Sequence, residues 1–548
     1  MNKESTNRKE NESIRDQKIL AKNTYYSFLG SYSTYFLALV TSFLLARMIT
    51  PSSWGYLIVA TSYITIITYI LSFLPPGLEA AMNYYIPRYK TLNEKNKLKS
   101  FILKGLYIKM FIVIICFISS LIIFNTLSYI FTISLNGYIH LLNLLSPLII
   151  ITNLDTIVKS IHVGFGRFKT TYFLSIIKFI VNVSLLVIAF IFIEDVTIEL
   201  IAIINVITLL IPFIVSCIIF IYKFLEIENS KEEGLKFKEF FPDIIRYGGL
   251  VSTQIVFSNI WGEVKKITVG IFATEEIVTG YNISNRYSEV ISLSIRAFSQ
   301  PLLISFTSLH SKNEYNTIPK IYKIYYKYSF FLISLITGIL WFFGDFFLFF
   351  IYGEPYLTYS LILKLFIISI IFNPIGSLFF VGLKSINKVK LVPIIDLFLN
   401  VLRIAFFLTG LIFFGIYGAL IGLIICRFII YMLMFFFSSR FLSIRLNVIR
   451  SILQFIAFFG SLFVAMILGD LFLNEIYYNI LSYLNLTFFR YLNLFTLGIF
   501  IVLFFVLNFI LSIITKSDIE IIEKFIPKDK MHFKILRKLL EKLKLVAR

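Results

Sequence analysis

Polar and charged residues recur at helical spacing inside segments that are otherwise apolar. The four clearest sets are Ser252, Asn259, Glu263 and Lys266; Asn282, Arg286, Glu289 and Arg296; Asp396, Asn400 and Arg403; and Thr171, Lys178 and Asn182. At about 100° per residue, the members of each set fall on one side of a helix. Because an ionisable residue inside an apolar helix is costly, each stripe is a candidate functional site.

Basic residues outnumber acidic ones in these stripes. The candidate ligand-binding cations are Arg47, Lys178, Lys266, Arg286, Arg296 and Arg403, and the acidic residues, which are candidates for coupling to an ion, are Glu263, Glu289 and Asp396. Such an excess suits an anionic ligand, since Arg in particular grips phosphate through two-pronged hydrogen bonds. An alternative stays open, in which Glu263 with Lys266, and Arg286 with Glu289, are i,i+3 pairs that only neutralise each other.

Apolar segments of about 20 residues, long enough to span a bilayer, carry these stripes. They follow one another from Tyr25 to Thr515, and 58% of the chain is hydrophobic, with 61 Phe residues, which excludes a soluble class. We count fourteen spans. Thirteen stays open, because polar residues lower the hydropathy of the fourth, seventh and eighth segments. The expected fold class is an all-α polytopic membrane protein.

Lys and Arg alternate from one set of loops to the other, which predicts cytoplasmic N- and C-termini and a multi-pass protein of the cell membrane. This topology divides the chain into a cytoplasmic arm (1–22), an N-lobe with spans one to six (23–225), a cytoplasmic linker (226–245), a C-lobe with spans seven to twelve (246–440), spans thirteen and fourteen (441–515) and a basic amphipathic cytoplasmic tail (516–548).

The two lobes share an ordered pattern, which indicates a duplication. One offset aligns Gly55-Tyr56 with Gly280-Tyr281 and also Pro76 with Pro301, and a nearly equal offset aligns Gly164 with Gly382. A six-span unit returns the chain to its starting side, so the copies are parallel repeats. Such repeats predict two six-helix lobes around a central cavity, with two extra C-terminal helices, that rock between inward and outward openings.

The formal net charge of +20 needs no nucleic acid to explain it, because the basic loops face anionic membrane lipids, which are an expected partner. The tail around Phe533 and Lys534 is either an interfacial helix or a solvated basic helix. All three cysteines lie in apolar spans without metal-ligand spacing, and no P-loop is visible, so neither a metal nor another cofactor is expected.

Several short motifs resemble one known family. They are the run from Leu45 to Tyr56 (LARMITPSSWGY), Gly77-Leu78, the run from Tyr84 to Tyr89 (YYIPRY) and Gly164 to Phe168 (GFGRF). In order and topology the chain resembles the polysaccharide-transporter branch of the multidrug, oligosaccharidyl-lipid and polysaccharide exporter superfamily, which includes O-antigen flippases.

The resemblance implies a two-lobed carrier, not an enzyme, that flips a lipid-linked oligosaccharide, on a polyprenyl phosphate or pyrophosphate, from the cytoplasmic to the outer leaflet. It makes Lys266, Arg286, Arg296 and Arg403 the best positional counterparts of the family's cavity cations. Enzymes of glycan assembly become plausible partners.

Two other functions compete with this interpretation. A multidrug exporter of the same fold is expected to bind organic cations through acidic cavity residues. The excess of basic residues in the stripes disfavours this function. A membrane glycosyltransferase or polysaccharide polymerase is expected to carry catalytic residues on a large outer loop, whereas the longest outer loop here, 469–490, offers only Asp470, Glu475 and Arg490.

Overall fold

A computed structural model describes residues 36–511, except 131–135, 227–236, 312–314, 387, 389, 470 and 472–493, together with residues 26, 29, 33, 34 and 513. Within helices it leaves some side chains undescribed, including that of Arg296. The predicted arm and tail, and nearly all of the 469–490 loop, lie outside the described residues. No described residue lies in a β-strand.

The helices of the first half are α1 (Phe36–Met48), α2 (Pro51–Phe73), α3 (Leu78–Thr91), α4 (Lys95–Ile130), α5 (Asn136–Leu145), α6 (Pro147–Gly164), α7 (Phe168–Phe192) and α8 (Ile198–Leu225). Those of the second half are α9 (Phe237–Phe272), α10 (Glu275–Ser311), α11 (Thr317–Phe347), α12 (Ser360–Ser369), α13 (Asn373–Ser385), α14 (Leu391–Leu442), α15 (Val448–Leu468) and α16 (Leu494–Ile510).

The centre of each of the fourteen predicted spans falls within one of these helices, so the all-α polytopic fold class is confirmed. Nine helical segments of the described chain are long and apolar enough to cross a membrane. The helices α9 and α10 do not meet that criterion although they contain 36 and 37 residues, because they carry the polar stripes. The helix α9 already begins at Phe237, inside the predicted linker.

The described chain divides into two compact units. Unit 1 comprises Met1–Asn282 and Pro393–Ile404, and unit 2 comprises Ile283–Val392 and Ala405–Arg548. The six-plus-six lobes of the sequence analysis stay a prediction.

In unit 1, α2 packs against α9, α3 against α6, and α7 against α8. Thr50 caps α2 through Ser53 N, and Pro51 occupies the first turn, where no backbone donor is needed. Gly55 allows a close approach, because a Cβ there would lie 1.7 Å from the Glu275 carbonyl oxygen. An aromatic cluster stabilises the α3–α4 side, where the Phe101 and Phe240 rings lie 5.2 Å apart.

The helix that forms the second predicted span is followed by a break at residues 74–77. The helix α2 ends at Phe73, Leu74 is extended, and α3 begins after Gly77, whose φ is +81°. Two consecutive prolines, Pro75 and Pro76, remove the backbone donors that a continuous helix would use. The break therefore leaves carbonyl groups of the last turn of α2 in need of other partners.

In unit 2, α11, α15 and α16 pack through Phe-rich faces. Gly338 of α11 leaves room for the Phe500 ring, which a Cβ there would meet at 1.9 Å. The connection between the ninth and tenth spans is irregular: a π-turn (Leu348–Tyr352) and a 3-10 turn (Glu354–Tyr359) flank Gly353, whose φ is +100°. Gly353 thus separates the helical segment that ends at Tyr352 from the one that begins at Glu354.

The 52-residue helix α14 contains spans eleven and twelve. It turns at Gly415, whose φ of +63° is non-helical. On either side of this turn the backbone segments approach closely, since a Cβ on Gly410 would lie 2.3 Å from the Gly418 oxygen and one on Gly422 would lie 2.4 Å from the Phe406 oxygen. Glycines therefore allow the backbone to fold back on itself.

Candidate functional site

In unit 1, a buried lysine donates hydrogen bonds to backbone carbonyl groups at the C-terminal end of α2. Lys109 of α4 is 0% exposed, and its ammonium donates to the carbonyl oxygens of Leu71 (2.6 Å) and Leu74 (3.1 Å). A cation suits the negative end of a helix dipole. Glu79, in the first turn of α3, lies within electrostatic range of Lys109 and accepts a hydrogen bond from Thr156 Oγ1 at 3.0 Å. The side chains of Lys109, Glu79 and Thr156 therefore form a polar group at the break between α2 and α3, which we call the polar joint.

A second charged group of unit 1 joins α6 to α7. Lys159 Nζ lies 2.5 Å from Asp155 Oδ2, one turn apart on α6. The predicted binding residue Lys178 of α7 has both of these side chains as electrostatic neighbours. Two cations therefore share one carboxylate, whose Oδ1 atom is buried without a hydrogen-bond partner among the described residues. The group carries a net positive charge.

The α9 stripe forms an ion pair with an added hydrogen bond. Lys266 Nζ lies 3.0 and 2.9 Å from the two Glu263 carboxylate oxygens, and Ser62 of α2 donates to Glu263 Oε2 at 2.8 Å. Both charged side chains are largely buried. The neutralising i,i+3 alternative is therefore realised for this pair. Whether Lys266 also binds substrate stays a prediction.

The α14 stripe is a chain of three side chains in unit 1. Arg403 Nη1 donates to Asn400 Oδ1 at 2.7 Å, and Asn400 Nδ2 donates to Asp396 Oδ2 at 3.3 Å. Asp396 and Asn400 are 8% and 7% exposed, whereas Arg403 is half-buried. The i,i+4,i+7 spacing thus aligns the acid, the amide and the base along one face.

The α10 stripe continues in unit 2. Asn285 Nδ2 donates to Glu289 Oε1 at 2.8 Å. Arg286 is half-buried, with Glu289 and Tyr352 as electrostatic neighbours. Arg296 lies on the same helix, but its side chain is outside the described part of the chain.

Arg47 behaves differently from the other predicted cations. It is exposed, it lies 3.9 Å over the ring of Phe43, and its guanidinium reaches the Phe43 carbonyl oxygen at 3.5 Å. These two contacts are with the preceding turn of its own helix, α1.

Several intramembrane charges were missed by the sequence analysis. They are Lys109 and Glu79 in unit 1, and, in unit 2, Asp345, which pairs with Lys364 at 2.7 Å, and Arg427, which donates to Ser369 Oγ at 2.6 Å. An isolated charge in each apolar segment was their only signal. No described group of three His, Cys, Asp or Glu side chains is arranged to hold a metal ion.

The fold is that of a polytopic all-α membrane protein. The structure is similar to an inward-facing multidrug resistance MATE family transporter of the MOP superfamily, with a TM-score of 0.63 and 14% identity, covering 75% of this chain and 94% of the other. The profile of the polysaccharide biosynthesis protein family matches residues 20–307. The chain belongs to this family, which confirms its resemblance to the polysaccharide-transporter branch.

Two further solved structures share the fold. One is a MOP superfamily transporter from Pyrococcus furiosus, whose binding pocket has reversed polarity, with a TM-score of 0.55, 13% identity, and coverage of 78% of this chain and 96% of the other. The other is a Vibrio cholerae MATE transporter, with a TM-score of 0.54, 16% identity, and coverage of 77% and 97%. No curated protein sequence matches the chain significantly. Family and fold together support a membrane exporter of polysaccharide biosynthesis.

Proposed function

We propose that the protein flips a lipid-linked oligosaccharide from the cytoplasmic to the outer leaflet by alternating access, with cations that bind the anionic head group. In this proposal the lipid carrier is a polyprenyl phosphate or pyrophosphate whose tail stays in or near hydrocarbon. The protein works in the cell membrane with both termini in the cytoplasm. Enzymes that assemble the glycan, and anionic lipids at the basic loops, are its proposed partners.

The observation that carries this proposal is the charge balance inside the membrane helices of unit 1. We count the charged residues of the polar joint and those that lie away from the ends of the described membrane helices. The bases outnumber the acids. The bases are Lys109, Lys159, Lys178, Lys265, Lys266 and Arg403, and the acids are Glu79, Asp155, Glu263 and Asp396. Lys109 is buried and the other five bases are half-buried. A surplus of positive charge at such positions in membrane helices is costly, so a bound anion would stabilise it. A phosphate or pyrophosphate group supplies both the charge and the acceptor oxygens.

Lys178 is the strongest single candidate for contacting the head group. Among the described residues, the carboxylate that is an electrostatic neighbour of Lys178 is that of Asp155. Asp155 already pairs with Lys159, so the three side chains retain one positive charge. Arg286 and Arg403 add guanidinium groups, whose planar geometry suits two-pronged hydrogen bonds to phosphate oxygens.

Membrane voltage gives such a transporter a driving force. Each negative charge moved outward across about 100 mV gains roughly 2.3 kcal/mol, so two charges gain on the order of 5 kcal/mol. Coupling to an ion is a further part of the proposal, with Glu263, Glu289 and Asp396 as its candidates. Family and fold indicate a transporter, so we propose no catalytic step.

The test is a flipping assay on the purified full-length protein in liposomes. The liposomes contain a fluorescent polyprenyl-pyrophosphate-linked oligosaccharide, and the rate at which its head group reaches the opposite leaflet is measured. We expect Lys178→Gln and Arg403→Gln to slow flipping roughly 10- to 100-fold, because each removes a charge-assisted contact of about 1.5–3 kcal/mol.

Matched controls come from the same helices. Lys169 lies in the first turn of α7 and Arg440 lies near the end of α14, and both are exposed. Lys169→Gln and Arg440→Gln should leave the rate within about twofold of the native rate, since exposed charges contribute little. Lys178→Arg, which keeps the charge, should restore part of the activity. A native protein that moves no such lipid would refute the proposal.

The same liposomes test the multidrug alternative. The observations in its favour are the buried acids Asp155 and Asp396, the half-buried Glu263 and the MATE-like fold. Extrusion of a cationic dye down an ion gradient, lost in Asp396→Asn and without any lipid flipping, would replace the flippase proposal with a multidrug exporter.

A further inference from the structure

A basic pocket of about 310 Å³ lies in unit 2, apart from every residue used in the proposed function. Its lining includes four basic side chains, Lys323, Lys327, Arg445 and Arg450, together with the polar Asn447 and Gln454. No carboxylate lines it among the described residues. The volume lies in the range of small-molecule sites.

The local fold brings these cations together from segments far apart in the sequence. Lys323 and Lys327 stand one turn apart on α11, so they share a face. The chain then reverses after α14 at Ser443, whose φ is +57°, and Arg445 lies in the short segment before α15. Both regions are predicted from their charge to lie on the cytoplasmic side.

The N-terminus of α15 adds positive potential to the pocket. Asn447 caps this helix by accepting the Arg450 backbone N–H at 3.1 Å. The helix contains 21 residues, and the positive end of its dipole lies at this cap. The four cations and the dipole therefore act in the same direction.

The inner wall of the pocket is buried and polar. Lys327 is 9% exposed and Gln454 is 3% exposed. Gln454 Nε2 donates to the Lys327 carbonyl oxygen at 3.3 Å, while its Oε1 has no hydrogen-bond partner among the described residues. A buried acceptor without a donor is destabilising, so a ligand hydroxyl would stabilise the site.

We propose that this pocket binds a phosphate ester that carries a neighbouring hydroxyl group. The basic side chains hold the phosphate oxygens, and the ligand hydroxyl donates to Gln454 Oε1. Two sources supply this chemistry, namely a phosphatidylglycerol-type lipid head group at the membrane surface and a soluble glycerol phosphate. Basic pockets between membrane helices are suited to anionic head groups.

The experiment measures binding of two probes to the full-length protein in phosphatidylcholine nanodiscs at about 0.15 M salt. In one arm, native mass spectrometry follows retention of added phosphatidylglycerol, and phosphatidylethanol serves as a phosphodiester of equal charge without the hydroxyl. In the other arm, calorimetry follows glycerol 3-phosphate in solution.

A charge-matched pair of double variants separates the pocket from general surface charge. Lys323→Gln with Arg445→Gln removes one Lys and one Arg that line the pocket, and Lys320→Gln with Arg440→Gln removes the same types outside it. All four side chains are exposed, so both variants should fold. At roughly 1 kcal/mol per charge, we expect the pocket variant to bind about 10- to 30-fold more weakly and the control to stay within twofold.

Gln454→Leu tests the hydroxyl contact. We expect phosphatidylglycerol to bind better than phosphatidylethanol to native protein, and this preference to vanish in the variant. Pocket-dependent binding of the lipid or of glycerol 3-phosphate supports the proposal and identifies the source. Absence of binding in both arms, equal loss in the two double variants, or lipid binding without a preference for the hydroxyl-bearing lipid would overturn it.

Discussion

The charged joint and stripes of unit 1 and the basic pocket of unit 2 handle positive charge in opposite ways. In unit 1, the ammonium groups of Lys109, Lys159 and Lys266 each lie within reach of a carboxylate or of backbone carbonyls. In the pocket of unit 2, exposed Lys323, Arg445 and Arg450 line a cavity to which no described residue contributes a carboxylate. Burial away from water demands compensation, whereas a pocket open to solvent can keep its cations for a ligand.

This contrast gives an order of expected effects on stability. The largest is at Lys109, because Lys109→Met removes the cap of α2 and leaves Glu79 without its nearby cation. Losing a hydrogen bond from a charged group costs about 1.5–3 kcal/mol for each of the two carbonyl groups of Leu71 and Leu74. We expect a correspondingly lower free energy of unfolding, measured by denaturant titration in detergent.

Two variants accompany that measurement. Lys169→Met removes an exposed lysine at the start of α7 and should change stability by less than about 0.5 kcal/mol. Adding Glu79→Gln to Lys109→Met should recover part of the loss, since the uncompensated carboxylate is then gone. If Lys109→Met and Lys169→Met lowered the free energy of unfolding equally, the contrast between buried, compensated cations and exposed cations would be wrong.

The next effect is at Glu263, where Glu263→Gln leaves the Lys266 ammonium without its ion pair. Because the pair is partly exposed, we expect about 2 kcal/mol rather than the full cost of a buried pair. Ser62→Ala, which deletes only the hydrogen bond to Glu263, should cost about 1 kcal/mol. A larger loss for Ser62→Ala would show that packing between α2 and α9 dominates over charge compensation.

The smallest effect is at the pocket. Arg450→Gln removes an exposed cation from a cluster of like charges, so the free energy of unfolding should change by less than about 0.5 kcal/mol. The comparison within unit 2 is Lys364→Met, which breaks the ion pair with Asp345 and should cost about 1 kcal/mol. If Arg450→Gln destabilised the protein more, the pocket cations would be structural.

The features that could be predicted from the sequence are those that depend on helical spacing. The stripes Glu263–Lys266 and Asp396–Asn400–Arg403 were predicted because i,i+3 and i,i+4 neighbours share a face whatever the tertiary fold. The fourteen spans and the all-α class follow from the same local information. The family resemblance, which the profile match confirms, rested on ordered motifs around Arg47 and Gly164.

The missed features all depend on contacts between distant segments. Lys109 finds its acceptors in Leu71 and Leu74, on another helix and at a break that hydropathy does not reveal. The basic pocket needs α11 beside the segment before α15. The substrate-binding roles of Lys178, Arg286 and Arg403 stay predictions, because one chain without a ligand fixes positions and partners rather than what is carried.

The joint at Lys109 also has a consequence for how such a site evolves. Its ammonium holds two backbone oxygens, and every amino acid offers the same carbonyl at positions 71 and 74. Substitutions at those positions therefore call for no compensating change at position 109. We expect pairwise covariation among homologous sequences to carry no trace of this contact, and its only signature to be a lysine that does not vary.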